Sequence, residues 1–131
     1  VDWRLAFAQS STDSGYGQQG LELLDGVLAF YWNFDLYVLR AACAFVADKP
    51  QAFLESAWWA SELVASKVDK AVEGKYAFSQ AEYATTASRL LGLSREIERS
   101  GGAGGLSSRA LQVLGMLNDT VHRMQQLAAT N

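Results

Sequence analysis

The sequence predicts an all-α protein, an antiparallel four-helix bundle with a short N-terminal helical segment. Twenty alanines and seventeen leucines stand against fifteen Ile, Val and Thr residues together, a balance that favours helix over strand. Between the turn signals, apolar residues recur at spacings of three and four, which is typical of amphipathic helices. Short connections between such helices favour antiparallel neighbours. The 131 residues are predicted to form a single helical domain.

The first part of the chain is predicted to be an N-terminal segment and flexible lead-in over residues 1–20, before a four-helix core over 21–131. Asp2 is placed to cap a short helix through Phe7, and residues 10–20 are rich in Ser, Gly and Gln. The first long helix is expected from about Leu21 to Ala47. It is apolar around most of its circumference, so it is either central to the core or faces a partner.

Local start and stop signals define the other three long helices. The second is expected to begin at Pro50 and to close at Gly74, since proline suits a first turn and glycine the position past a helix end. The third starts at Ser79, where Glu82 completes a capping box, and the fourth starts at Ser107. The apolar stripe predicted for the fourth helix contains Ala110, Leu114, Leu117, Val121, Met124 and Ala128.

Composition and charge exclude several classes of protein. Half of the residues are hydrophobic and 19% are charged, which rules out a disordered chain. A net charge of −3 without a basic cluster argues against nucleic-acid binding. Asp35 and Arg40 interrupt the most apolar stretch, which argues against membrane insertion. We therefore expect a soluble domain that neither binds nucleic acid nor inserts into a membrane.

Cysteine usage and the first residue bear on the compartment. Cys43 is the single cysteine, so an intramolecular disulfide and a thiolate zinc cage are excluded, and we expect it to be a small buried hydrophobe. The lack of disulfides slightly favours the cytoplasm. The chain begins with Val1 instead of Met, so we expect a processed product or a piece of a longer chain, with a periplasmic or secreted location as the alternative.

No motif in the sequence predicts catalysis, a cofactor or a metal. Residues 15–20 spell G-x-G-x-x-G, but no strand is predicted on either side, so we interpret them as the lead-in to the first long helix. His122 is the only histidine, and no nucleophile or second metal ligand accompanies it. We predict a non-enzymatic protein without a cofactor. An enzyme that uses carboxylate or arginine chemistry is a less favoured alternative.

Asp35 is the most unusual polar residue, because it falls among apolar residues of the first predicted helix. An acid in such a stripe must pair, shift its pKa or line a wet cavity. Arg40 lies roughly 140° away around that helix, so a partner from another helix is expected, namely Arg89, Arg123 or His122. The predicted buried polar or ligand-binding residues are Asp35, Arg40 and Asn33.

Aromatic residues are the second unusual feature. Five lie between Phe30 and Tyr37, where they could fill the core, line a ligand pocket or form an interface. Trp59 falls on the polar side of the second helix, and tryptophan is enriched where interfaces are strongest. The alternative is that Trp59 lies beneath the N-terminal segment, against Trp3 or Phe7. The predicted partner-binding residues are Trp59, Trp58, Trp32 and Tyr37.

These observations favour a non-enzymatic helical interaction domain, such as an adaptor, chaperone, inhibitor or subunit. It would act through its aromatic-rich surface on a partner protein or on a second copy of the chain. The alternative is a helical ligand-binding or sensor domain that takes a small apolar ligand in a pocket near Asp35. The fold class alone does not separate the two.

Overall fold

The computed structural model describes residues 14–101 and 105–130 of the chain, and these form five α-helices and no strand. The all-α prediction is confirmed for this part of the chain. The helices are α1 (Ser14–Leu28), α2 (Phe34–Val46), α3 (Pro50–Val72), α4 (Gln80–Ser100) and α5 (Ser108–Thr130). The short helix predicted through Phe7 lies outside the described residues.

The chain divides into two compact units, Val1–Trp59 and Ala60–Asn131, and the boundary falls within α3. In the first unit α1 packs against α2, and in the second unit α4 packs against α5. The single domain expected from the length stays a prediction.

The prediction of one long helix from Leu21 to Ala47 is wrong, because α1 ends at Leu28 and α2 begins at Phe34. Asn33 is the N-cap of α2. Its backbone is extended (φ −148°, ψ 132°), and its side-chain oxygen accepts a hydrogen bond from the Leu36 N–H at 3.1 Å. Asparagine is a strong N-cap because its short side chain satisfies an N–H that a new helix leaves unpaired. The break leaves residues 29–33 as a loop.

The flexible lead-in predicted for residues 10–20 is also wrong over residues 14–20, which belong to α1, while residues 10–13 lie outside the described part. Gly17 explains why a helix fits there. A Cβ atom on Gly17 would lie 2.7 Å from both the Ala47 nitrogen and the Cys43 carbonyl oxygen. Glycine therefore lets α1 approach the end of α2 closely. Cys43 is buried, as predicted.

The predicted boundaries of α3 are confirmed. Pro50 is its first residue, and Gly74 lies just past its end with a φ of 78°. The Lys75 N–H donates to the Lys70 carbonyl oxygen at 2.8 Å, which closes the last turn. A residue in this left-handed conformation is the common way to end a helix, and glycine adopts it without steric cost.

The predicted starts of α4 and α5 are confirmed as well. The Ser79 hydroxyl accepts a hydrogen bond from the Glu82 N–H at 3.0 Å, and the Ser107 hydroxyl accepts one from the Ala110 N–H at 3.1 Å. Both bonds span three residues, so the sequence spacing was enough to find them.

The core of the second unit is mostly aliphatic. Its buried residues include Val64, Val68, Leu90, Leu93, Ile97, Val113, Leu117, Val121 and Met124. The predicted stripe of the fourth long helix is correct at Ala110, Leu117, Val121 and Met124, whereas Leu114 is half-buried and Ala128 is exposed. Ser61 and Thr120 share a buried hydroxyl–hydroxyl hydrogen bond of 2.8 Å. No buried side-chain polar atom among the described residues lacks a partner.

Candidate functional site

The loop between α1 and α2, residues 29–33, holds three consecutive aromatic side chains outside the core; we call it the aromatic loop. Phe30, Tyr31 and Trp32 are 93%, 59% and 67% exposed. Apolar surface left in water forgoes roughly 25 cal/mol per Å² of burial free energy, so folding alone does not explain this arrangement. Contiguous exposed apolar patches of this kind mark interaction sites.

Trp32 contacts a group of rings from α2 and α3; we call these four residues, Trp32, Tyr37, Trp58 and Trp59, the tryptophan cluster. The Trp59 ring lies 5.8 Å from Trp32, 6.0 Å from Tyr37 in a stacked geometry and 4.7 Å from Trp58 in an edge-on geometry. Such pairs contribute about 0.5–1.5 kcal/mol beyond the area they bury. The structure therefore brings together all four residues predicted to bind a partner.

Trp59 is half-buried, because Trp32 and Tyr37 lie against its ring. The cover over Trp59 thus comes in part from the aromatic loop, which exists only because the predicted first helix is broken. The predicted alternative cover, Trp3 or Phe7, lies outside the described residues.

Asp35 is exposed, so the prediction that it is buried is wrong. That prediction projected a single helix through residues 24–46, whereas Asp35 lies in the first turn of a new helix. A carboxylate is favourable there because a helix N-terminus carries a partial positive charge. Of the cations expected beside Asp35, Arg123 forms an ion pair with Asp69, and His122 is exposed.

Arg40 is a largely enclosed charge among the described residues of the first unit, with 11% of its side chain exposed. Its Nε lies 2.7 Å from Asp25 Oδ1, and its Nη1 lies 3.0 Å from Glu55 Oε1. The same Nη1 donates to the Ser56 hydroxyl at 2.9 Å and to the Ala52 carbonyl oxygen at 3.3 Å. We call Arg40 with its two carboxylates the arginine site. It ties α1, α2 and α3 together within the first unit.

Tyr37 joins the tryptophan cluster to the arginine site. Burial raises the pKa of its phenol; nearby Arg40 lowers that pKa, while Glu55 and Asp25 raise it. Tyr37 lies three residues before Arg40 on α2, so the two side chains are neighbours on one face of that helix. Aromatic loop, tryptophan cluster and arginine site form one connected region.

Sequence reasoning missed the exposure of Phe30 and Tyr31. Asn33 was the available signal, since an asparagine followed two residues later by an acid is typical of a helix start. Asp25 and Glu55 were missed for a different reason. Each is fifteen residues from Arg40 in sequence, and no local pattern predicts such pairings.

The second unit has an open groove of about 410 Å³ at the end where α3 closes and α4 begins. Its lining residues include Ala71, Tyr76, Phe78, Gln80, Tyr83 and Leu127. The Tyr76 hydroxyl donates to the Glu82 carboxylate, which also pairs with Lys67 Nζ at 3.2 Å. Burial alone would raise the pKa of Glu82, but the hydrogen bonds from Tyr76 and Lys67 outweigh it and lower that pKa.

The described residues contain no helix with the length and hydrophobicity needed to cross a bilayer. Within the same residues, no three His, Cys, Asp or Glu side chains come together as a metal site. No protein-family model, no curated protein and no solved structure matches this chain.

Proposed function

We propose that this chain is a non-enzymatic helical interaction domain that binds a partner protein through its aromatic loop. The observation that carries the proposal is the outward placement of Phe30, Tyr31 and Trp32 in succession. The same unit buries smaller apolar side chains such as Val38 and Ala41 almost completely. Burial of the three rings against a partner would recover the free energy that the isolated fold leaves unused.

The loop is also held in place from below, which favours binding. Trp32 contacts Trp59, and Asn33 caps α2 directly after the loop. A side chain that is already ordered loses less conformational entropy when a partner covers it. Tryptophan and tyrosine are moreover the residues that most often dominate interface energies.

Two parts of this proposal rest on the sequence. The absence of catalytic motifs supports a non-enzymatic role, and helix lengths with short connections support an antiparallel four-helix bundle. In that bundle the α1–α2 pair would take the place of the first long helix.

Photo-crosslinking tests the proposal. Phe30 is replaced by benzoylphenylalanine, and the protein is irradiated in cells of its source. We expect discrete protein adducts that disappear in the Trp32→Ser variant, because that change removes the ring that supports the loop. The matched control carries the same photoreactive residue at Leu111, an exposed leucine of α5, and should form none of these adducts.

Two results would contradict the proposal. One is the absence of position-30 adducts from a protein whose circular dichroism and melting temperature are unchanged. The other is the same set of adducts from position 111. An adduct of twice the chain mass would identify the partner as a second copy of this chain.

A small-ligand site is the second candidate function, and the groove beside Tyr76 supports it instead of a pocket near Asp35. Aromatic walls and a volume of about 410 Å³ suit a small apolar molecule. The aromatic dye anilinonaphthalene sulfonate should bind in this groove. The Ala128→Trp variant should bind the dye more weakly, because the larger side chain fills the groove. Trp32→Ser should leave that binding unchanged; loss of dye binding only in Trp32→Ser would exclude the groove.

A further inference from the structure

We infer that the partner segment is cationic, with Lys or Arg side chains beside its apolar residues that meet the carboxylates of Asp25 and Glu55. This inference rests on the proposed function, because it specifies the chemistry of the partner at the same surface. It is carried by the position and the charge of the arginine site.

Contacts connect the arginine site to the aromatic loop. Trp32 touches Trp59, and Trp59 stacks on Tyr37. Tyr37 lies three residues before Arg40 on α2, so its side chain neighbours the guanidinium that pairs with Asp25 and Glu55. A partner segment that covers the loop therefore lies next to the arginine site.

The arginine site has an unbalanced charge. One guanidinium faces two carboxylates, and it also donates to Ser56 and Ala52. The ion pairs engage one oxygen of each carboxylate, and 57% of each acidic side chain is exposed, against 11% of the Arg40 side chain. The surface that a partner meets is consequently negative, with the neutralising cation beneath it.

The rest of the first unit strengthens this negative field. Its described residues hold five carboxylates and two cations: Glu22, Asp25, Asp35, Asp48 and Glu55, with Arg40 and Lys49. Residues 60–131 hold eight cations and seven carboxylates, so that part of the chain is almost balanced. The acidity is therefore concentrated in the unit that presents the aromatic loop.

These features select one class of partner. Phosphate groups of nucleic acids and anionic lipid headgroups are repelled by such a field, whereas ammonium and guanidinium groups are attracted. Exposed aromatic faces bind the same cations through cation–π contacts, and the methylene stems of Lys and Arg cover rings well. A basic apolar protein segment satisfies both the rings and the carboxylates.

Synthetic peptides test this chemistry. The probes are an amphipathic helical peptide of leucine and lysine, about 18 residues long, and its leucine–glutamate counterpart. We expect calorimetry to show binding of the leucine–lysine peptide only, with weaker binding as salt rises from about 50 to about 300 mM. Glu55→Gln and Asp25→Asn should each weaken it by about fivefold. Glu98→Gln, an exposed acid of the second unit, is the matched control and should change nothing.

Arg40 keeps one acidic partner and the Ser56 hydroxyl in either variant, so both should fold; circular dichroism checks this. The inference is overturned if the leucine–lysine peptide does not bind, or if both peptides bind equally well. In that case the proposed function still holds, provided that the position-30 adducts still require Trp32. Unchanged adducts and peptide binding in Trp32→Ser overturn both. Trp32-dependent binding to phosphatidylcholine–phosphatidylglycerol vesicles also overturns the inference, because the surface would then favour an anionic membrane.

Discussion

The two compact units differ in the aromatic side chains that they leave exposed. The second unit fully buries Leu90, Ile97, Leu117 and Met124, whereas the first leaves Phe30, Tyr31 and Trp32 exposed in succession. The polar groups of the two units also differ in how much they are exposed to solvent. Ser61 and Thr120 satisfy each other inside the second unit, whereas Arg40 of the first unit pairs with carboxylates that reach solvent. Close packing explains the buried side chains of the second unit. The first unit leaves aromatic rings and carboxylates at its surface.

The largest effect on stability is expected in the core of the second unit. Leu117→Ala removes a fully buried side chain and leaves a cavity, so it should lower the free energy of unfolding by about 2–5 kcal/mol. Leu111→Ala, on the exposed side of the same helix, should change it by less than about 0.5 kcal/mol. Urea unfolding followed by circular dichroism measures both. Equal losses in the free energy of unfolding would mean that Leu117 is no more buried than Leu111.

In the first unit, the largest effect should come from the arginine site. Arg40→Met removes the cation between Asp25 and Glu55, and their repulsion should lower the free energy of unfolding by about 1–3 kcal/mol. The cost stays below that of a fully buried pair because water can hydrate the two exposed carboxylates. Lys49→Met, an exposed cation of the same unit, is the control for the same urea measurement. If Arg40→Met and Lys49→Met have the same free energy of unfolding, the arginine site does not stabilise the first unit.

Gly17 allows a test of the contact between α1 and α2. Gly17→Ala places a methyl group 2.7 Å from two backbone atoms of α2 and its C-cap, so the helices must shift, at a cost of about 1–3 kcal/mol. Gly26→Ala has open space around it and should stabilise α1 by about 0.5–1 kcal/mol. Opposite shifts in melting temperature are therefore expected. Stabilisation by both would show that α1 does not approach α2 closely.

The smallest effect should come from Tyr76→Phe, which removes the hydrogen bond to Glu82 at a cost of less than about 1 kcal/mol. Because the folded pKa of Glu82 is lowered, its stabilisation is present above the unfolded value of about 4.3 and is lost as the pH falls through the folded value. In Tyr76→Phe the folded pKa should rise toward the unfolded value, so Glu82 should contribute less stabilisation at neutral pH and the variant should lose less stability on acidification. Tyr83→Phe is the control, and an identical pH profile for both variants would contradict the role of Tyr76.

Most of the helices could be predicted from the sequence, and the reasons are local. Pro50, Gly74 and Ser79 act on backbone groups within a few residues of themselves, so spacing alone reveals them. The break before Asn33 was missed because the run of apolar residues on both sides continues through it. Asn33 is an N-cap signal at that point, but the prediction followed hydrophobic periodicity alone.

The candidate site was predictable in its residue types and not in its contacts. Tryptophans and an isolated charge stood out in composition, and the structure collects Trp32, Trp58 and Trp59 into one cluster. The choice of Asp35 as the buried charge was wrong, because one helix projection was carried across two helices. Arg40, which is also among the predicted buried polar residues, has 11% of its side chain exposed.

Local signals thus decide where four of the helices begin or end, because a cap or a turn is completed within three or four residues of chain. Packing between helices decides which groups meet. Arg40 reaches Asp25 and Glu55, and Trp59 reaches Trp32, only once the first unit is folded. Such pairs lie many residues apart, and their distances depend on how α1, α2 and the start of α3 pack together. That packing also leaves Phe30 and Tyr31 outside, which turns an apolar stretch of sequence into an exposed surface.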